Sequence, residues 1–369
     1  MTFLKCVLDP PSYGYERAGR LYVPSKREIL REFFHRLNLF SSKKNWLSFF
    51  GWASTLSFAL PLGIFLTHYA SPRLMALGFI YSMVLMGSHG TFWLHRFCTH
   101  RAFKFRSPWI AAICRNLVIK VVPEETYVVS HHVHHRYSEQ PGDPYNVHGG
   151  WFYCFLADVN HQAIRKDLSQ KDYEQLCRLM GHTGVHLNSY AQYLRWGSLC
   201  HPASTIAHYF LNWGFWYGAF YSIGGHALAT AIFGWAGVWA IGIRTFNYEG
   251  HGRGVDRRRD GVDFNRTDMS VNQVWPGYVA GEWHNNHHLY PNGARSGFFR
   301  YQVDLPWILI RALAKTGAIS SYRDFRKDFM RDHYLPWLAG RGPLKPSSPA
   351  QQEEHSAVPV ASLDHVNVE

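Results

Sequence analysis

Hydrophobic residues in this chain gather in long windows almost free of charge, separated by polar and basic stretches. Residues 47–70, entered from Trp46 as WLSFFGWASTLSFALPLGIFLTHYA, are long enough to cross a bilayer with some tilt, and Pro61 and Gly63 are points where such a helix would bend. Residues 74–94 form a second window after a Ser-Pro-Arg turn, so the two predict an antiparallel helical hairpin. Residues 204–224 and 226–246 predict another hairpin, joined at Gly224 and Gly225. Residues 108–122 (PWIAAICRNLVIKVV) are apolar but short and carry Arg115 and Lys120, which favours an interfacial or re-entrant segment. Lys26 to Phe40 reads as an amphipathic helix on the membrane surface, with Ile29, Leu30, Phe33, Phe34 and Leu37 on one side.

The chain then divides into a basic N-terminal segment (1–46), a first transmembrane hairpin (47–94), a polar cap containing the interfacial segment (95–203), a second hairpin (204–246), a further polar region (247–341) and a Pro-, Ser-, Gln- and Glu-rich tail (342–369) expected to be disordered. The predicted fold class is an all-α membrane protein with four transmembrane helices in two hairpins and a cytoplasmic helical cap. If the N-terminus is cytoplasmic, each hairpin leaves and returns, so every polar region and both termini share the cytoplasmic face. Lys and Arg agree, because the two hairpin turns contain only Arg73.

Composition changes this picture little. The 369 residues are 47% apolar and 16% aromatic, and a mean hydropathy of −0.22 hides the segregation along the chain. A net charge of +12 would suit a nucleic-acid binder, but no recognition motif accompanies it, and basic cytoplasmic loops account for it. Six cysteines form no Cys-x-x-Cys pair and no disulfide framework, so free thiols in reduced cytosolic surroundings are expected. The N-terminal MTFLKCVLDPPSYGY, broken by two prolines and an acid, does not read as a signal peptide.

Candidate chemistry lies in clustered histidines: His95 and His100; His131, His132, His134 and His135; His251 with Asn247; and His284, His287 and His288. Imidazole is the commonest neutral metal ligand. His131, His134 and His135 have i, i+3, i+4 spacing, which on a helix puts them within an arc of roughly 100° on one face, and His284, His287 and His288 repeat it. His95 and His100 would stand about 140° apart on an ideal α-helix, straddling a site and reaching different ions. His251 follows the last span, with Asn247 one turn earlier. Nine histidines exceed what one ion takes, and two ions with four or five each fit. Structural zinc closes with four ligands. A carboxylate-type di-iron bundle needs paired Glu-x-x-His motifs, and the one match, Glu32 to His35, lies far from the clusters. His132 has no ligand role in this arrangement, and Asn285 and Asn286 orient the site. A His-rich metal transporter is the alternative from another class, although ion pathways place ligands at mid-membrane rather than beside the spans.

The motifs HRFCTH (95–100), SHHVHH (130–135), NYEGH (247–251) and HNNHH (284–288), with flanking RYSEQPGDPYN (136–146) and GEWHNNHHLYPNGARSGF (281–298), resemble the histidine boxes of integral-membrane fatty acid desaturases, the acyl-CoA and acyl-lipid Δ9 group in particular. The resemblance covers roughly residues 46–300. It implies two iron ions held by His95, His100, His131, His134, His135, His251, His284, His287 and His288, with Asn247 reaching one iron through water. It implies O2 as oxidant, two electrons from an external donor of ferredoxin or cytochrome b5 type with its reductase, and oxidation of an unactivated C–H bond of an acyl chain in an apolar tunnel. Desaturation is the expected outcome. Oxidative decarboxylation of free fatty acids to terminal alkenes and hydroxylation are alternatives at the same centre. Where acyl-CoA desaturases usually carry an Arg-Asp pair before the second box, this chain has Val129 and Ser130, which leaves a lipid-bound acyl chain or a free fatty acid open beside the CoA thioester. Arg253, Arg257, Arg258, Arg259 and Arg266 are candidates to hold a substrate headgroup or to meet anionic lipid. No His-Pro-Gly-Gly segment of cytochrome b5 type occurs, so a separate electron donor is expected.

Overall fold

The computed structural model describes residues 3–275 and 282–340; the tail expected to be disordered lies outside them. The chain is mostly helical, 63% by residue, with few strands. Among the described residues, three helical runs are long and apolar enough to cross a membrane: α2 (Lys43–Tyr69), α3 (Pro72–Thr99) and α6 (Pro202–Gly250). Before them runs α1 (Lys26–Leu37), started by a Ser25–Glu28 capping box. Between them lie α4 (Pro108–Arg115) and α5 (Glu124–Tyr137). After them comes α7 (His284–Leu289).

The run α6 is interrupted at Gly224 and Gly225, where Gly225 takes φ +63° and Gly224 leaves helical geometry. Glycine has no Cβ to obstruct that conformation. On either side of the break, the rings of Tyr217 and Phe233 stand 5.3 Å apart, and Phe58 of α2 packs against both Trp213 and Phe233. Residues sixteen positions apart on a straight helix would be about 24 Å apart, so the chain turns back on itself there.

Residues 116–122 are not helical, and they run between α3 and α6. Their backbone groups are taken up by side chains. Ile119 N–H donates to Tyr81 Oη (3.0 Å), Lys120 N–H to Asn212 Oδ1 (2.9 Å), and Asn212 Nδ2 donates to the Val118 carbonyl (3.1 Å). Trp213 and Trp216 donate their indole N–H to the carbonyls of Lys120 and Asn116. Irregular backbone inside a helical bundle requires such partners.

The α1 stripe divides. Ile29 and Phe33 are buried, together with Glu32 and Arg36, whereas Leu30 and Phe34 are exposed. The buried side meets Tyr153, Cys154 and Trp52. Glu32 is engaged by Arg36 and Ser12, away from the histidines. The polar region after α5 has its own core around Tyr173, Leu176, Met180 and Tyr193, continuous with Phe97, Val128 and Val133 of α3 and α5. Cys98, Cys114, Cys154, Cys177 and Cys200 are free thiols.

Candidate metal centre

Four helical segments bring the histidines together. On α3, residues Thr91–Thr99 form a π-helical stretch, and His100 N–H donates to the His95 carbonyl five residues back (3.1 Å). The wider turn returns residues five apart to one side. His95 and His100 therefore share one cluster, their rings 4.9 Å apart, instead of facing separate ions as α-helical spacing predicts. On α5 the apolar face (Val128, Val129, Val133) packs into the core, which directs His131, His134 and His135 to the opposite side. His251 follows the last turn of α6, and His284, His287 and His288 project from α7.

The nine residues form two groups. One contains His95, His100, His131, His135 and His287; the other contains His134, His251, His284 and His288; within each, one ligand atom per residue lies within 4.8 Å of all the others. Each i, i+3, i+4 trio is split between the groups, so α5 and α7 serve both. The groups adjoin, with the rings of His135 and His288 4.5 Å apart. Asn247 and His284 line the same cleft. Gly250 leaves room for His284: a Cβ there would stand 2.7 Å from the His284 ring.

Carboxylates fix the ring orientation. His95 Nδ1 donates to Glu282 (3.0 Å), His134 Nδ1 to Asp143 (2.9 Å), His251 Nδ1 to Glu139 (2.8 Å) and His288 Nδ1 to Asp268 (2.7 Å). An Nδ1–H held this way leaves the Nε2 lone pair facing inward. The Nε2 atoms of His100, His134, His251, His284 and His288 are buried without hydrogen-bond partners. In the five-histidine group, four Nε2 atoms form a closed circuit: His95–His131 2.8 Å, His131–His135 3.0 Å, His135–His287 2.9 Å and His287–His95 2.9 Å. Four mutually adjacent imidazoles do not carry enough protons for that circuit, whereas donors about 2.1 Å from a shared ion sit at this spacing. The donor set therefore fits two metal ions. Burial, then neighbouring imidazoles, holds His100, His131, His135, His284 and His287 well below the usual histidine range, so they are neutral imidazoles with a lone pair to offer. At His251 burial opposes charge, but Glu139 and Asp268 outweigh it and raise the imidazole.

Asn285 and Asn286 clamp α7. Asn285 Nδ2 donates to the Ser270 carbonyl (2.7 Å), and Asn286 Nδ2 donates to the Ser296 carbonyl (2.7 Å). His132 belongs to neither group. Sequence reading does not identify Glu139, Asp143, Asp268 and Glu282. The available signal is chemical: each inward-facing imidazole needs an acceptor for its other nitrogen, and acids lie in the polar segments beside the boxes. Glu139→Ala removes the acceptor shared by His251 Nδ1 and Met269 N–H (both 2.8 Å). We expect about 10–100-fold weaker metal retention in a chelator competition, with Glu139→Gln intermediate.

The centre opens on a cleft of about 1570 Å³ of atom-free space, part of it open to solvent, lined by His95, His131, His284 and Asn247 among others. Apolar Leu94, Val121, Val122 and Trp239 are among its lining residues, as are the cationic Arg36, Lys44, Lys166 and Arg244. Arg253, Arg257, Arg258, Arg259 and Arg266 do not line it. Four of them pair locally, with Glu249, Asp256, Asp263 and Asp260 respectively for Arg253, Arg258, Arg259 and Arg266. Arg258 also donates to the Asp268 carbonyl, steadying the loop that carries the partner of His288.

Residues 70–316, more than half of the chain, match the family model described as fatty acid desaturase. The chain is similar to the icosanoyl-CoA 5-desaturase of Limnanthes douglasii (25% identical over 240 residues, 63% of this chain) and spans 60% of that relative's length. It is similar to Delta-9 acyl-lipid desaturase 1 of Arabidopsis thaliana (26% over 231 residues, 60% of this chain and 67% of the relative). Similarity to the sn-1 stearoyl-lipid 9-desaturase of Synechocystis sp. is 23% over 341 residues, 84% of this chain and 95% of the relative.

Proposed function

The chain belongs to the fatty acid desaturase family, and from that premise we propose that it is a membrane-bound, O2-dependent di-iron oxidoreductase that desaturates a fatty acyl chain. The observation that carries this reading is the pair of buried histidine groups opening on an apolar cleft. His95, His100, His131, His135 and His287 would hold one iron, and His134, His251, His284 and His288 the other, with Asn247 reaching the second through water. Iron bound there supplies, with O2 and two external electrons, an oxidant strong enough for an unactivated C–H bond.

The chain's own residues do the rest. Glu282, Asp143, Glu139 and Asp268 orient the imidazoles. Leu94, Val121 and Trp239 exclude water and align the acyl chain, so regioselectivity is positioning. Lys44 and Lys166, partly exposed among the lining residues, would meet a polar acyl headgroup. The reversal at Gly224 and Gly225 supports reading α6 as two crossings, giving four in two hairpins, with the histidine groups and the polar cap on the cytoplasmic side. Basic residues concentrated off the hairpin turns support that orientation and suit an acidic external donor.

Product analysis tests the reaction. Purified protein with a reductant system and O2 receives free acids, CoA thioesters or acyl lipids, and mass spectrometry is expected to find an internal double bond. A terminal alkene one carbon shorter, or a hydroxy acid, would replace desaturation as the reading.

Trp239 lines both this cleft and a smaller cavity beyond it, and it is 7% exposed. Gly90, Leu94, Val121 and Val122 also line both, and Trp239, the bulkiest of the five, is the side chain expected to limit the acyl path. A pocket discriminates one methylene by about 10–200-fold. Trp239→Ala is expected to erase most of that discrimination against longer chains, read as a shift of product length in competition assays with mixed acyl substrates.

A further inference from the structure

A second pocket beside the cleft takes no part in the proposed reaction. It encloses about 610 Å³ of atom-free space, partly open, and shares Leu47, Pro123 and Glu125 with the cleft. Arg115, Lys120, Glu124, Ser204, Thr205 and Tyr209 line it. Two of its cations share one acceptor. Arg115 Nε and Lys120 Nζ both donate to one oxygen, Glu124 Oε1, each at 2.7 Å, and the two side chains are 15% and 7% exposed. Glu125 accepts from the backbone N–H groups of Leu199 and Cys200 with its two oxygens (2.8 and 2.9 Å), so it is turned away from both cations. Ser204 and Thr205 stand in the first turn of α6, whose N-terminus adds positive potential. The Tyr209 hydroxyl, on a residue 2% exposed, has no hydrogen-bond partner and lies in the field of Glu124 and Arg115. An ion cluster that only ties residues 116–122 to α5 would explain Glu124 with one cation. It leaves the second cation and the orphaned hydroxyl without a purpose.

The surroundings indicate which anion. Trp109 and Ile113 of α4 and Phe210 and Leu211 of α6 are exposed by 80%, 64%, 62% and 74%. Apolar side chains this exposed face lipid in the membrane arrangement proposed above, on which the inference rests. We propose that this pocket binds the phosphate of an anionic phospholipid headgroup, with Arg115 and Lys120 donating charge-assisted hydrogen bonds and the Tyr209 hydroxyl a further one.

The test uses the full chain in phosphatidylcholine nanodiscs containing a minor fraction of phosphatidylglycerol, followed by native mass spectrometry of the lipids retained on release into detergent. Wild type is expected to retain one phosphatidylglycerol in preference to phosphatidylcholine. Arg115→Gln and Tyr209→Phe are each expected to lower that retention by about tenfold or more, with helix content and bound iron unchanged. Tyr209→Phe removes a single oxygen, so it stays informative if Arg115→Gln folds poorly. A parallel titration with inorganic phosphate separates the sources: thermal protection by phosphate without retained phosphatidylglycerol overturns the lipid assignment. Equal retention of the two lipids, or wild-type retention in both variants, overturns the site. Retention is read without turnover, so an inactive preparation that still selects phosphatidylglycerol would count against the proposed reaction and leave this pocket standing.

Discussion

His287→Ala is expected to abolish turnover while the protein remains inserted in the membrane. His287 Nε2 stands 2.9 Å from Nε2 of both His95 and His135, so it closes the circuit that joins α3, α5 and α7. Its removal leaves four imidazoles in a group of five that, among the described residues, contains no carboxylate. A contact that merely supports a ligand costs about 10–100-fold in activity or metal affinity, so loss of a ligand should exceed that, by roughly 10³-fold in turnover. Iron per chain, measured by elemental mass spectrometry, should fall from two toward one. Full activity with two irons retained would remove His287 from the ligand set and weaken the division into five and four.

The second large effect concerns stability. Arg96, on α3 beside His95, is 1% exposed. It donates to the Ala294 carbonyl (2.7 Å) and Ser296 Oγ (2.8 Å), pairs with Asp304 (2.9 Å) and approaches Glu282 (3.8 Å). Arg96→Met leaves two buried carboxylates without their cation. Breaking a buried pair from one side costs about 3–5 kcal/mol. We expect a lower midpoint of thermal unfolding in detergent, and weaker iron binding through Glu282, the partner of His95. Arg96→Lys should recover only part of the stability, because an ammonium cannot match the fork that spans Asp304 and Ser296. An unchanged midpoint in Arg96→Met would show that the 294–304 loop is held by other means.

These two residues also mark what can be read from the chain. The windows at 47–70 and 74–94 are legible because a long apolar run has few uses other than crossing a membrane, and α2 and α3 follow them closely. Residues 108–122 are legible as something other than a span from Arg115 and Lys120. The hydrogen bonds from Asn212, Trp213 and Trp216 that sustain their backbone come from a helix about ninety positions later and leave no local trace. The histidines are legible by type and spacing. Their partition is not, because α-helical angles misplace His100 and do not say which member of each trio faces which ion. The supporting acids reach the centre from loops and are visible only in three dimensions. The arginines at 253–266 suggest a headgroup site by their density, yet four of them have acidic partners close by in the chain.

The wide turn at the end of α3 has a consequence for how such a centre could be gained or lost. Deleting a single residue between 91 and 95 would swing His95 by about 100° around the axis without removing any imidazole from the sequence. The coordination number of the five-membered group thus depends on helical pitch, and a chain with every motif intact could still be unable to hold its full complement of metal.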